Sequence, residues 1–206
     1  ALYDAQVLKV WTHSQGIFPL RLALADVLGL AEDKIHLVHV PGAGCYGHNG
    51  ADDVALDAAL AARAVPGRPI MLKWERADEH AWEPFGSAMQ IELQASLDDT
   101  GRVIYWNHET FSDTHMSRPS AHRENSRLLA AWHLQSPRPA PPVKPTPGFH
   151  TGIHRNADPI YDFADRRVVK HLVHDLPLRV SALRSLGAYA NVFAIESFMD
   201  ELAHFR

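Results

Sequence analysis

Residues 35 to 53, Ile-His-Leu-Val-His-Val-Pro-Gly-Ala-Gly-Cys-Tyr-Gly-His-Asn-Gly-Ala-Asp-Asp, run from an apolar strand pattern through a glycine-dense turn into a helix pattern. This turn constrains the fold more than any other feature, because glycine lacks the Cβ that blocks φ > 0 and keeps a ligand away from the main chain. Gly42, Gly44, Gly47 and Gly50 expose backbone N–H groups, and an anion or a metal-oxo group is the guest such a loop suits. A tight turn with no ligand is the plain structural alternative.

Gly42-x-Gly44-x-x-Gly47 also matches the dinucleotide-binding fingerprint, with a strand expected before it, a helix after it and a strand over 69–74 ending near Glu75. The details fit poorly. Asn49, Gly50, Asp52 and Asp53 delay the helix and put carboxylates where a pyrophosphate would meet its N-terminus. Glu75 lies 28 residues beyond Gly47, against the roughly 20 of the fingerprint. A nucleotide-binding domain using Gly42, Gly44, Gly47 and Glu75 therefore stands as an alternative.

At 206 residues and 46% hydrophobic content the chain can bury a substantial core. A net charge of −4 and the absence of a Lys/Arg-rich stripe give no footprint for nucleic acid. One cysteine, Cys45, leaves no internal disulfide, no paired-cysteine zinc site and no iron–sulfur cluster held by this chain alone. No apolar run approaches the about 18 residues of a membrane span, and no signal-peptide pattern is present. Ala1 in place of an initiator Met, followed at once by strand-like sequence, reads as a piece of a longer polypeptide.

The pattern predicts a strand over 6–12, a helix over 16–28 stopped by Gly29, a turn at 32–34 and a strand over 35–40. Asp52 or Asp53 is expected to cap an alanine-rich helix that ends before Pro66-Gly67, a role their place at the helix start favours over that of general base. A short helical segment over 76–82 and a hairpin of 88–97 with 103–111, turning at 98–101, follow. Prolines at 119, 137, 139, 141, 142, 145, 147 and 159 exclude regular structure from 117 to 165, yet Trp132, Phe149, Tyr161 and Phe163 argue for a packed loop over a solvated linker. A strand over 167–174, a glycine turn at Gly187 and a helix over 190–205, with Phe193, Phe198, Met199 and Leu202 in the core, complete the chain. The fold class is α+β, a mixed sheet with helices. A first α+β cofactor-binding region is expected over 1–116, then the Pro-rich packed loop over 117–165, and over 166–206 a strand, glycine turn and closing helix that belong to the same region as 1–116.

Fourteen histidines invite a metal reading, but there is no HExxH, and His36 and His39 fall on opposite faces of a strand. His108 and His115, His150 and His154, and His171 and His174 are equally scattered, so no metal site is assigned to side chains. Cys45 with His48 as its base could form a nucleophilic thiolate, but no orienting third group is evident, and a small side chain packed beside the loop is the preferred reading. Gln15 stands at the end of the first strand in Thr12-His-Ser-Gln-Gly16, a turn parallel in layout to the glycine loop, and two such turns can converge on one site. Its amide can donate to an oxo group or a carbonyl, or it can serve as a helix cap. Arg184 before Gly187 suits a carboxylate, a phosphate or a polar ring, or a structural salt bridge.

Trp11-Thr-His-Ser-Gln15, the 41–53 loop, Gly67-Arg-Pro69, Leu97-Asp-Asp-Thr-Gly101 and the run from Pro177 through Arg184 to Asn191 together resemble the molybdopterin-binding subunit of the xanthine dehydrogenase and aldehyde oxidase family. The resemblance is strongest to its isoquinoline 1-oxidoreductase and nicotinate dehydrogenase type and spans nearly the whole chain. It implies a molybdenum hydroxylase that oxidises an N-heterocycle or an aldehyde with water-derived oxygen and passes electrons to [2Fe–2S] clusters on a partner. The implied cofactor is molybdopterin carrying Mo, in its cytosine dinucleotide form. The implied partners are a small [2Fe–2S] subunit and a cytochrome c subunit, with the periplasm as compartment and the cytoplasm as alternative.

On that resemblance Gln15 matches the glutamine that contacts a molybdenum oxygen, and Arg184 matches the substrate-orienting arginine. Gly44, Cys45, Tyr46 and Gly47 are the implied cofactor-binding positions, with Tyr46 where the family often has phenylalanine and the Gly47 N–H as donor to the apical ligand. Gly50 stands where purine-oxidising members carry a glutamate, which argues against xanthine as substrate. The family's catalytic glutamate belongs to a later segment, so this chain alone is expected to be inactive. A cofactor-free interaction subunit that docks a partner through the Pro-rich segment is the reading from outside the enzymes.

Overall fold

A computed structural model describes residues 1–48, 50–115, 117–148 and 151–205. Asn49, Phe149 and His150, singled out above, lie outside the described residues. Two compact units emerge: Ala1–Phe85 with Ser117–Pro142, and Gly86–Met116 with Val143–Arg206. The Pro-rich segment is thus shared between them. Both units combine helices with sheet, and the architecture is α+β, as expected.

In the first unit, β1 (Leu2–Asp4), β2 (Val7–Thr12) and β3 (Ile35–His39) form a sheet in that order. β2 and β3 are parallel, with Leu8 opposite Ile35 and Thr12 opposite His39, and α1 (Ile17–Leu28) connects them. Leu8, Val10 and Thr12 point inward while Lys9 and Trp11 face out, the period-2 alternation that one buried face demands. β1 is an unexpected antiparallel neighbour of β2. Its turn is made by Ala5 (φ 44°) and Gln6 (φ 64°), a left-handed pair that glycine or asparagine usually supplies, so the sequence carries no hairpin signal there.

α1 ends as predicted at Gly29, in the left-handed conformation, with its N–H on the Ala25 carbonyl. α2 (Ala51–Ala64) buries Ala55, Leu56 and Ala59 against Leu8, Leu20 and Leu24. The cap of α2 differs from expectation. Gly50 is the N-cap, without a side-chain cap bond, and Asp52 and Asp53 lie buried in the first turn. Their partners are distant in sequence: Asp53 Oδ1 accepts from the Leu129 N–H at 2.9 Å, and Asp52 is bound by Ser14.

The expected strand over 69–74 does not form. Pro69 has no N–H to give a ladder, and this stretch instead makes isolated bonds, including Ile70 N–H to the Ala1 carbonyl at 2.8 Å. α3 (Arg76–Trp82) begins with a capping box in which Glu75 and Asp78 satisfy each other's backbone N–H groups. The 117–142 segment packs tightly on this unit: Leu128 and Ala131 enter the core, and Asp26 Oδ2 accepts from the N–H groups of His122 and Arg123.

In the second unit, β5 (Met89–Leu97), β6 (Val103–Ser112) and β7 (Arg166–Leu172) form a mixed sheet with β6 central, antiparallel to β5 and parallel to β7. Two-residue strands β4 (Phe85–Gly86) and β8 (Val180–Ser181) complete the described strands. The 98–101 hairpin forms as predicted, with Asp98 Oδ1 accepting from Thr100 and Arg102. α4 (Ala188–His204) lays Ile195, Phe198, Met199 and Leu202 against Trp106, which stacks on Phe163 at 4.9 Å. Phe193 is not in this core and is 73% exposed. It sits two residues from Ile195, about 200° around the helix, and so faces the opposite way.

Candidate functional site

Parallel pairing of β2 with β3 brings the two segments that follow them to one end of the sheet. The 12–16 turn leaves β2 and the glycine loop leaves β3, and both are fastened to the start of α2. Thr12 Oγ1 donates to the Ala51 carbonyl at 3.3 Å, and the Ser14 hydroxyl donates to Asp52 Oδ1. Ser14 Oγ also accepts from the Gly16 N–H at 3.0 Å, which rounds the turn and presents Gln15 at the surface.

Gly42 shows why glycine is needed in the facing loop. A Cβ there would lie 2.6 Å from Cγ of His13, so the loop backbone rests directly on the 12–16 turn. Gly44 (φ 131°) and Gly47 (φ 109°) are left-handed, and Tyr46 between them also has a positive φ of 50°. The Tyr46 ring lies over Gly44, whose Cβ would come within 2.8 Å of it, and is 66% exposed. Cys45 is half-buried and its thiol donates to the Gly47 carbonyl at 3.0 Å, a bond inside the loop that holds its curve.

Beneath the two turns lies a charged centre that the sequence did not announce. Asp52 is 2% exposed. Its Oδ2 is 3.3 Å from Nε2 of buried His48 and 3.4 Å from Nη2 of Arg118. Burial pushes the Asp52 carboxyl above the usual range, against the pull of the Ser14 hydroxyl and of Arg118. Nη1 of the same Arg118 donates to Gln15 Oε1 at 3.4 Å. His48 Nε2 thus faces the Asp52 carboxylate, whereas the Cys45 thiol donates to the Gly47 carbonyl. Asp52 and Asp53, weighed above as caps, serve as buried anchors. Arg118 went unremarked because it precedes a proline in a stretch with no periodicity.

These residues suit a ligand bound by main-chain donors and one amide rather than by side-chain metal ligation. Exposed backbone at 41–44, a loop curved by left-handed glycines and the Gln15 amide make up the donor set, while the Gly50 N–H at the end of the loop is already taken by Glu83 Oε2 at 3.4 Å. Among the described residues, no three His, Cys, Asp or Glu side chains gather into a metal-ligating group. A cofactor that carries its own metal ligands fits this arrangement. A dinucleotide fits less well: α2 begins only after Gly50, Asp52 fills its first turn, and Glu75 caps α3.

Residues 1–136 match the model of the molybdopterin cofactor-binding domain. The chain belongs to this family. It is similar to a nicotinate dehydrogenase chain of Pseudomonas putida, 36% identical over 203 residues that make up 98% of this chain and 16% of that protein. It is also similar to the beta chain of isoquinoline 1-oxidoreductase of Brevundimonas diminuta, 29% identical over 96 residues, 46% of this chain and 12% of that protein. The chain thus spans under a fifth of the length of either relative. The molybdopterin cofactor-binding match takes in Gln15, the glycine loop, Asp52 and Arg118.

Arg184 belongs to the second unit, beyond the matched residues, and is exposed. Its turn differs from expectation: the left-handed positions are Ser185 (φ 70°) and Leu186 (φ 53°), whereas Gly187 has φ −63° and caps α4. Gly187 is required for close approach, since a Cβ would fall 2.5 Å from the carbonyl oxygens of Gly152 and Ile153. Asn191 then clamps the start of α4. Its Nδ2 donates to the carbonyls of Ile153 (2.8 Å) and Arg155 (3.0 Å), and its Oδ1 accepts from Thr110 (2.9 Å) and lies 3.1 Å from His108 Nε2. Burial lowers the pKa of His108, against the pull of its contact with Asn191.

Proposed function

We propose that this chain is part of a molybdenum hydroxylase that oxidises an N-heterocycle or an aldehyde with oxygen derived from water. The observation that supports this most is the convergence of the Gln15 turn and the glycine loop on the first turn of α2, within the residues that match the molybdopterin cofactor-binding domain. When bound, the pterin-held molybdenum supplies the two-electron chemistry. This chain supplies orientation. Gly44, Cys45 and Gly47 shape a loop whose N–H groups would hold the cofactor, with the Gly47 N–H and the Gln15 amide as the donors turned toward it. By resemblance Tyr46 falls at the position the family places beside the substrate, and Arg184 at the position of its substrate-orienting arginine, which suits a carboxylate or polar ring atom.

The name of the nicotinate relative favours a pyridine carboxylate among the candidate substrates. The cofactor is the cytosine dinucleotide form. Electrons leave through [2Fe–2S] clusters on a small partner subunit and then a cytochrome c subunit, because a single cysteine supplies too few thiolates to hold a cluster here. The complex works in the periplasm, and the base that activates water comes from outside this chain. The test is turnover of the intact native complex on pyridine carboxylates, N-heterocycles and aldehydes in ¹⁸O-labelled water. Label in a hydroxylated product supports the reading, and product oxygen drawn from O₂ contradicts it.

A further inference from the structure

The Gln15 amide presents two nearly isosteric ends, an acceptor oxygen and a donor NH₂, and an exposed glutamine can turn either outward. Arg118 removes that ambiguity. A guanidinium has donors only, so the Gln15 atom 3.4 Å from its Nη1 is the oxygen. The two donor hydrogens of Nε2 are then on the end of the amide that does not meet Arg118. Arg118 is itself held: its Nη2 lies 3.4 Å from the buried carboxylate of Asp52, which Ser14 binds from the other side. Gly16 gives the guanidinium room, since a Cβ there would lie 3.2 Å from Nη2.

We infer that Arg118 is a positioning residue that, anchored on Asp52, fixes Gln15 with its NH₂ toward the bound cofactor. The inference rests on the functional reading above. It requires two separate nitrogens on one side chain, one for each acceptor, which a lysine ammonium cannot reproduce in the same fork geometry.

The test uses the full-length holoenzyme and compares wild type, Arg118→Lys, Gln15→Ala and the double variant for molybdenum content, Tm, turnover and the electron paramagnetic resonance signature of the metal. Arg118→Lys keeps a cation beside Asp52, so molybdenum content and Tm stay at wild-type levels. Its resonance signature shifts toward that of Gln15→Ala, and kcat falls about fivefold with KM little changed. In the Gln15→Ala background the lysine adds nothing. Gly16→Ala, which crowds Nη2 without removing the charge, shifts the signature in the same direction. A wild-type signature and turnover in Arg118→Lys overturn the inference, as does loss of molybdenum from that variant or an effect undiminished when Gln15 is absent. Wild-type enzyme without molybdenum would instead overturn the functional reading and this inference with it.

Discussion

Ser14 donates its hydroxyl hydrogen to the buried carboxylate of Asp52 across 38 positions of sequence, and this bond ties the turn that carries Gln15 to the helix behind the glycine loop. Asp52 also faces the partly exposed Arg118 and the buried His48, so removing its carboxylate leaves the buried Ser14 hydroxyl without this acceptor and takes the counter-charge from beside Arg118. Asp52→Ala is expected to cost about 3 kcal/mol in chemical denaturation. Asp52→Asn is expected to cost clearly less, since a neutral amide keeps an oxygen for Ser14 and avoids the burial of charge that raises this carboxyl's pKa. Equal losses in the two variants would contradict this account of the site.

Gly187 and Gly29 separate two reasons for glycine. Gly187 has an ordinary φ but sits against two carbonyl oxygens of the backbone, whereas Gly29 has φ 62° with open space where a Cβ would go. Gly187→Ala is expected to lower stability by about 3 kcal/mol, because backbone must move. Gly29→Ala is expected to cost about 1 kcal/mol from the left-handed conformation alone. Thermal unfolding of the two variants checks the order.

His115 is buried with Nε2 2.9 Å from Ser112 Oγ, and burial pushes its pKa from the ordinary 6.5 down to about 4. Between those values the unfolded chain binds the proton more readily than the folded one, so stability falls as pH drops from about 6.5 to about 4 and levels off below. The loss is at most about 3 kcal/mol. His115→Gln is expected to flatten that part of the stability profile measured between pH 4 and 7, while an unchanged slope would remove His115 as its source.

Gln15 and Arg184 are exposed, and neither is part of a core cluster. Gln15→Ala and Arg184→Ala in the full-length enzyme are therefore expected to leave Tm within about 1 °C while lowering kcat/KM about tenfold or more at matched molybdenum content. Arg184→Ala should act mainly on substrates with a carboxylate or polar ring substituent. Wild-type kinetics in both variants would withdraw those two assignments.

Periodicity made α1, β3, α2, the 98–101 hairpin and α4 legible, because each has one buried face and a clear stop such as Gly29 or Pro66. The hairpin at Ala5-Gln6 was invisible because ordinary residues adopt its left-handed turn. Phe193 was misplaced because hydrophobicity alone does not state which helix face meets the sheet. At the site, local pattern showed Gln15 and the glycine loop, since turns between a strand and a helix carry their own residue signature. The linkage of Asp52 with Ser14 and Arg118, and of Arg118 with Gln15, was not legible because these contacts span 38 to 103 residues, which no local window contains.

The most direct test is to isolate the intact native complex that contains this chain and measure molybdenum per protomer, together with the nucleotide released from the pterin by acid. Stoichiometric molybdenum with cytidine nucleotide is the predicted result, and its loss in a Gly44→Val variant that still assembles would tie it to the glycine loop. A complex purified from molybdate-supplied cells that holds neither molybdenum nor a pterin nucleotide would contradict the account.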